Sequence, residues 1–188
     1  MNIDGADWLI RDYRPADEGA WLRCRVLGFL DTSYYDDVLV SKPRHAPGVG
    51  LVATAGDDIV GLCDASIDEA SATIETIVVH PDFRRRGIAH ALVQHTCERL
   101  QRAAATTVDA WTREDPGTLA WYQAEGFSAV FRYLHVYAST PQEMERATTP
   151  RPGLMPRNGH FHAWESEEAI LRERFDRVYG CNRFMKAI

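Results

Sequence analysis

The run Val79-His80-Pro81-Asp82-Phe83-Arg84-Arg85-Arg86-Gly87-Ile88-Ala89 sets three arginines and a glycine between a β-branched stretch and an apolar stripe at helical spacing. A helix starting there presents four main-chain N–H groups without intrahelical partners and the positive end of its dipole. Gly87 has no Cβ, so a ligand can approach its main chain closely. The guanidinium groups of Arg84, Arg85 and Arg86 add positive charge. Together these features suit a polyanion such as a diphosphate; the plain alternative is an exposed arginine run at a helix start. The loop has one glycine where a dinucleotide fingerprint has three, and it lacks the Gly-Lys-Ser/Thr of a Walker loop. His160 and His162 would share one strand face, but no third ligand accompanies them, so no metal is expected. Cys24, Cys63, Cys97 and Cys181 contain no Cys-x-x-Cys pair and read as buried, reduced thiols of a cytoplasmic protein.

These residues need elements to hold them. Residues 7–14 read as a first strand closed by Pro15. A helix capped by Asp17 follows, with the stripe Ala20, Trp21, Cys24, Leu27 and Gly28. Residues 31–40 predict a short second helix, broken by Lys42-Pro43 and Pro47-Gly48. Residues 49–55 and 59–67 flank Gly56-Asp57-Asp58 as a hairpin, and 73–80 form a third β-branched strand stopped by Pro81. Residues 87–104 predict a long helix with the stripe Ala89, Leu92, Val93, Thr96, Leu100 and Ala103. A strand at 106–111, a helix begun by Asp115-Pro116 and ended by Gly126, and a strand at 128–138 follow. Beyond these, 141–148 predict a helical turn or two, 150–159 a linker and 160–164 a short strand. Residues 166–175 predict a helix capped by Ser166, and 178–188 a final strand. Hairpins first and crossovers later predict an α/β (α+β) fold, a mixed, mostly antiparallel twisted sheet with helices on both faces.

The chain has 188 residues, 45% apolar and 26% charged, an ordinary balance for one globular domain. A net charge of −6 argues against a nucleic-acid partner. Residues 1–75 hold 6 basic and 14 acidic side chains, which suggests either a cationic substrate or simply a solvated acidic surface. No apolar run approaches membrane-spanning length, and the first residues lack the pattern of an export signal, so no membrane partner is expected.

The order of elements, the strand TIETIVVHP, the loop RRRGIA, the long helix and Tyr122-Gln123-Ala124-Glu125-Gly126-Phe127 resemble the GNAT superfamily of N-acetyltransferases. Arg84-x-x-Gly87-x-Ala89 resembles that family's acyl-CoA loop, and Tyr122-x-x-x-Gly126-Phe127 its second signature. The segment IRDYRPAD resembles the family's first strand and turn. The resemblance covers about residues 8–138 and the last strand. Residues 1–140 are thus expected to form a GNAT-like acetyltransferase domain. Residues 141–188 are expected to form a C-terminal extension that completes the sheet and carries an inserted loop and helix.

The resemblance implies transfer of an acetyl group from acetyl-CoA to an amine of a small molecule or peptide by direct attack on the thioester. A non-catalytic acyl-CoA-binding sensor is the alternative. The diphosphate would rest on main-chain N–H groups from Arg85 through Gly87 and Ile88 to Ala89. The pantetheine would run beside Ile77, Val78 and Val79, where that strand splays from the next, and an N–H near Val79 would hold the thioester oxygen. Glu75, the one carboxylate of that strand, is the implied general base. Strand alternation puts it on the face of Thr73, Ile77 and Val79, and a plain surface or cross-strand glutamate is the competing reading. Tyr122 is the implied acid for the leaving thiolate. A tyrosine pKa of about 10 against a thiol pKa of about 8.5 favours a hydrogen bond to sulfur over full proton transfer.

Asp115 stands where the family often has Asn; a cap explains it, and a cofactor contact remains open. Tyr34, Tyr35, Asp36 and Asp37 lie where the family places its acceptor loop, with a cation pocket and a solvated turn both open. In the family the last two strands usually pair closely, whereas here about 40 residues separate Ala138 from Val178. That insertion could cover the acceptor site, form a homodimer contact or extend the sheet.

Overall fold

In the computed structural model, which describes residues 7–149 and 151–188, the β-branched and alternating runs build one sheet. Its strands are β1 (Leu9–Asp12), β2 (Gly48–Ala55), β3 (Asp58–Asp68), β4 (Ser71–Val79), β5 (Thr107–Arg113), β6 (Ser128–Ala138), β7 (Gly159–Ala163) and β8 (Arg177–Ala187). They lie in the order β1-β2-β3-β4-β5-β8-β6-β7. Neighbours are antiparallel except β4 and β5, which run parallel and are joined by a helical crossover. The mixed sheet with helices on both faces is the architecture the sequence predicts.

The helices are α1 (Glu18–Phe29), α2 (Ile88–Arg102), α3 (Pro116–Ala124), α4 (Pro141–Ala147) and α5 (Glu168–Arg174). Trp21 and Cys24 of α1 pack on Val52, Leu62 and Val78 on one face of the sheet. Leu92, Val93 and Leu100 of α2 pack with Val60, Cys63 and Val108 on the other. The buried stripe of α2 is Ile88, Ala91, Leu92, Val93, Thr96, Cys97 and Leu100; Ala103, placed in it by spacing, is exposed beyond the helix end. The end of α1 comes very close to the sheet. A Cβ on Gly28 would lie 2.1 Å from Val78 Cγ1, so only glycine permits that approach. No helix among the described residues is long and apolar enough to cross a membrane.

Residues 31–40 do not form the expected short helix; they form turns. Thr32 donates to the Phe29 carbonyl and accepts from Tyr34 N–H, which ends α1 and turns the chain. Long-range contacts then fix the segment, as described below. The inserted segment extends the sheet. β7 pairs with β6 as an edge strand, while Met144 of α4, Leu171 of α5 and Phe175 pack on Leu134, Val136 and Val178. α5 starts at Glu168 with no side-chain cap; Ser166 lies in the preceding 3-10 turn. All four cysteines are unpaired and buried, and burial pushes the Cys24 and Cys63 thiols up to about 12. They are therefore inert at neutral pH.

Candidate active site

Pairing between β4 and β5 stops at Ile74↔Ala110. Beyond it β4 stays paired to β3 as far as Val79↔Gly61, and β5 to β8 as far as Arg113↔Cys181. The two strands therefore diverge, leaving the facing edges of Glu75–Val79 and Trp111–Arg113 without each other's hydrogen bonds. The cause is local. A β-bulge sets Ala65 and Asp64 opposite Ile74 and Thr76, with Glu75 as the extra residue, and a bulge bends the strand that carries it.

The same bulge overturns the simple alternation. Ala72 and Ile74 belong to the α2-side core, and so do Ile77 and Val79, whereas Val78 packs against α1. Glu75 does not share the face of Ile77 and Val79. It takes a 2.6 Å hydrogen bond from the Ser66 hydroxyl and lies 4.0 Å from His45 Nδ1. It is exposed at the fork where the strands part.

Gly87 caps α2 in the left-handed conformation at φ +80°, and nothing lies within 4 Å of the point its Cβ would occupy. Arg85, at φ +63°, also takes a left-handed turn. The first intrahelical bond runs from Ala91 N–H to the Gly87 carbonyl, so the N–H groups of Ile88, Ala89 and His90 have no intrahelical acceptor. A cavity of about 980 Å³ connects this helix start, including Arg85, Gly87 and Ala89, to the gap beside Ile77–Val79 and to Tyr122.

The three arginines differ in role. Arg84 makes paired hydrogen bonds to Asp31 at 2.7 and 2.8 Å and a further one to the Gly28 carbonyl, so it braces the loop against the end of α1. Arg86 donates to the Asp82 carbonyl and covers the Phe83 ring, outside the cavity lining. Arg85 lines the cavity and has no carboxylate partner among the described residues. Asp115 caps α3, accepting from both Thr118 N–H and its hydroxyl at 2.8 and 2.9 Å, and also borders the cavity.

Tyr122 is 3% exposed, with its ring stacked on Phe184 at 5.1 Å and edge-on to Phe127 and Trp121. It borders the cavity, and no described residue hydrogen-bonds its hydroxyl. Burial pushes that hydroxyl above the usual tyrosine range, the direction opposite to the one an efficient acid needs.

The turns after α1 close the other side. Tyr34 stacks on Phe29 and its hydroxyl accepts a 2.7 Å bond from Arg113 N–H at the end of β5. The buried Arg113 guanidinium donates to the Ser33 carbonyl and the Tyr137 hydroxyl and lies over the Tyr34 ring. Asp36 pairs with Arg177 and Asp37 with Arg25, each at 2.8 Å. Both carboxylates stay partly exposed, and Asp37 borders the cavity, but each already has an arginine partner.

Arg113 was not legible as a site residue, although a charge ending the run TVDAW is the one signal that marks it. His135 was missed too. It lies across from His162 in the β6–β7 register and supplies the third imidazole that the sequence did not reveal. Next to it an aromatic hollow of about 510 Å³ is lined by Trp111, Phe131, Tyr133, His162 and Trp164. Trp111 borders both cavities.

The mixed sheet forks between two parallel strands, and the glycine-started helix borders the same cavity as the fork. The sequence profile described as the acetyltransferase (GNAT) family matches residues 7–127. An acetyltransferase of Pectobacterium atrosepticum is 33% identical over 110 residues, 56% of this chain and 77% of that protein. An acetyltransferase of Sodalis glossinidius is 30% identical over 95 residues, half of this chain and 66% of that protein. Among solved structures, the ribosomal-protein-S18-alanine N-acetyltransferase of Escherichia coli superposes with a TM-score of 0.63 over 96% of this chain and 94% of its own, at 14% identity. The PaiA N-acetyltransferase of Thermoplasma acidophilum, solved in complex with coenzyme A, gives 0.56 over 65% and 91%, at 11% identity. The chain belongs to the acetyltransferase (GNAT) family.

Proposed function

We propose that this protein transfers an acetyl group from acetyl-CoA to an amine of a small molecule or peptide, with residues 1–140 as the acetyltransferase domain and 141–188 as the extension that completes its sheet. The observation that carries this reading is one cavity joining the N–H groups at the start of α2, the β4–β5 gap and Tyr122. The residues suit the ligand. The open space at Gly87 admits a diphosphate to the main chain, and the cation of Arg85 borders it. The coenzyme A bound to the Thermoplasma acidophilum relative supports the same ligand class.

The pantetheine then takes the place of the missing strand partner along Ile77–Val79, and a main-chain N–H there holds the thioester oxygen as it gains charge. The acceptor must lose a proton to attack. An alkyl amine with a pKa of about 10.4 is neutral in only about one part in a thousand at pH 7. Glu75 is the carboxylate at the fork and takes that proton, directly or through a water. As the C–S bond breaks, Tyr122 donates a hydrogen bond to the leaving thiolate. Its raised pKa makes complete transfer more uphill than the reference values imply, so stabilisation of the sulfur is its role.

A thiol-release screen with acetyl-CoA against aminoglycosides, polyamines, amino acids and peptide N-termini tests this reading. Turnover with at least one class is expected. Acetyl-CoA binding without thiol release for any acceptor would leave only a sensor.

A further inference from the structure

We propose that His135, His160 and His162 form a binding site for one divalent transition-metal ion on the open face of the β6–β7 ribbon, apart from the acetyl-transfer cavity. The placement follows from register. His160 and His162 are two apart on β7, and His135 is the cross-strand partner of His162, while Tyr137 is the partner of His160. Residues two apart and directly opposite share one face of an antiparallel pair, with Cβ atoms about 4.5–5.5 Å apart across the strands. The neighbouring residues Leu134, Val136 and Ala138 point to the other face, into the core under α4 and α5. The three imidazoles are thus left on the side of this ribbon opposite α4 and α5.

The ligand nitrogens of the three rings lie within 4.8 Å of one another. A tetrahedral ion with metal–nitrogen bonds of about 2.0–2.1 Å needs nitrogens about 3.3 Å apart, so each ring must close by roughly 1 Å. His160 and His162 are exposed on an edge strand, where side-chain rotation supplies that movement.

The third ring is already oriented. The Tyr133 hydroxyl lies 2.7 Å from His135 Nε2, and Nδ1 is buried without a partner among the described residues. A hydroxyl accepting from Nε2–H fixes the tautomer that leaves the Nδ1 lone pair for an ion, the usual arrangement behind a ligating histidine. Three neutral imidazoles with no carboxylate suit Zn²⁺, Ni²⁺, Co²⁺ or Cu²⁺ rather than Mg²⁺ or Ca²⁺. A three-ligand set leaves the fourth position for water or an incoming donor. His162 also lines the aromatic hollow, so the histidine cluster borders it. The positive charges of Arg113 and Arg177 nearby weaken cation binding, although Asp36 neutralises Arg177.

Calorimetric titration of the untagged chain with Zn²⁺ at pH 7.5, together with the visible spectrum of the Co²⁺ form, tests the site. One equivalent should bind with a micromolar dissociation constant, and Co²⁺ should give the intense absorption of a tetrahedral centre. The double variant H160Q/H162Q removes two exposed ligands, keeps His45, His80, His90 and His95, and should weaken binding at least about 100-fold while melting like the parent. Tyr133→Phe removes no ligand and should weaken binding about 10-fold or more. Absence of saturable binding by the parent, or equal affinity in H160Q/H162Q, overturns the proposal. An unchanged affinity in Tyr133→Phe overturns the orientation assigned to His135.

Discussion

Replacing Tyr122 by Phe separates its packing from its chemistry. The phenyl ring keeps its 5.1 Å stack on Phe184 and its edge contacts to Phe127 and Trp121. The lost hydroxyl has no protein partner among the described residues, so stability should change by less than about 1 kcal/mol. The catalytic effect is worked from the charge on sulfur. A hydrogen bond to a charged acceptor contributes about 1.5–3 kcal/mol, and at about 1.4 kcal/mol per factor of ten its loss lowers kcat about 10- to 150-fold. Because that charge exists only as the thiolate leaves, KM for acetyl-CoA should stay within about threefold. The raised tyrosine pKa adds a second signature. The wild-type rate should show no fall from Tyr122 ionisation up to pH 10. Steady-state kinetics on an acceptor found by the thiol-release screen, with thermal melts of both proteins, would measure all of this. A kcat within threefold of wild type in a folded variant would refute the reasoning.

Gly87→Ala places a Cβ at φ +80° on the cavity wall. The left-handed conformation costs about 1–2 kcal/mol, and the methyl obstructs the diphosphate, so KM for acetyl-CoA should rise about tenfold or more with a smaller change in kcat. Gly28→Ala drives a Cβ to 2.1 Å from Val78 Cγ1 and should destabilise by about 1–3 kcal/mol in urea unfolding, with V78A as a second change recovering part of the loss. Lys42→Met leaves the buried Asp64 carboxylate without the ammonium 2.7 Å away, which should cost about 3–5 kcal/mol and loosen the segment before β2. Arg132, and then Arg172, hold the Glu168 carboxyl down at about 2, below its unfolded value of 4.5. Its stabilisation is complete above that unfolded value and lost as pH falls from there through about 2. Glu168→Gln should therefore flatten the loss of stability between pH 5 and pH 2 by up to about 1 kcal/mol, read from denaturant midpoints across that range.

Features decided within a few residues were legible. Asp115-Pro116 announces the start of α3, and the cap bond to Thr118 N–H is there. Gly126 announces its end and takes φ +84°. The strand, the arginine loop and the glycine before α2 read directly as a helix start open to an anion. Features decided by partners far along the chain were not. Residues 31–40 read as a short helix, but they are poor in strong helix formers, and the Arg113 N–H at a strand end 79 residues away donates to the Tyr34 hydroxyl and helps hold them as turns. The facing of Glu75 depends on a bulge that only the β3–β4 register reveals. Arg84 is indistinguishable from Arg85 in sequence; Asp31, brought beside it by the close packing of α1 at Gly28, makes it a brace. The third imidazole needed the β6–β7 pairing, since His135 and His160 are separated by a helix and a linker.

In the proposed function, the main chain opening α2 grips the diphosphate of acetyl-CoA and directs its sulfur into the gap between β4 and β5. A crystal structure of the chain with acetyl-CoA tests it most directly. Diphosphate oxygens should lie within about 3.2 Å of amide nitrogens in residues 85–90, with the pantetheine beside Ile77–Val79 and the sulfur within hydrogen-bonding reach of the Tyr122 hydroxyl. A nucleotide bound elsewhere, with the helix start and the gap filled only by solvent, would contradict it.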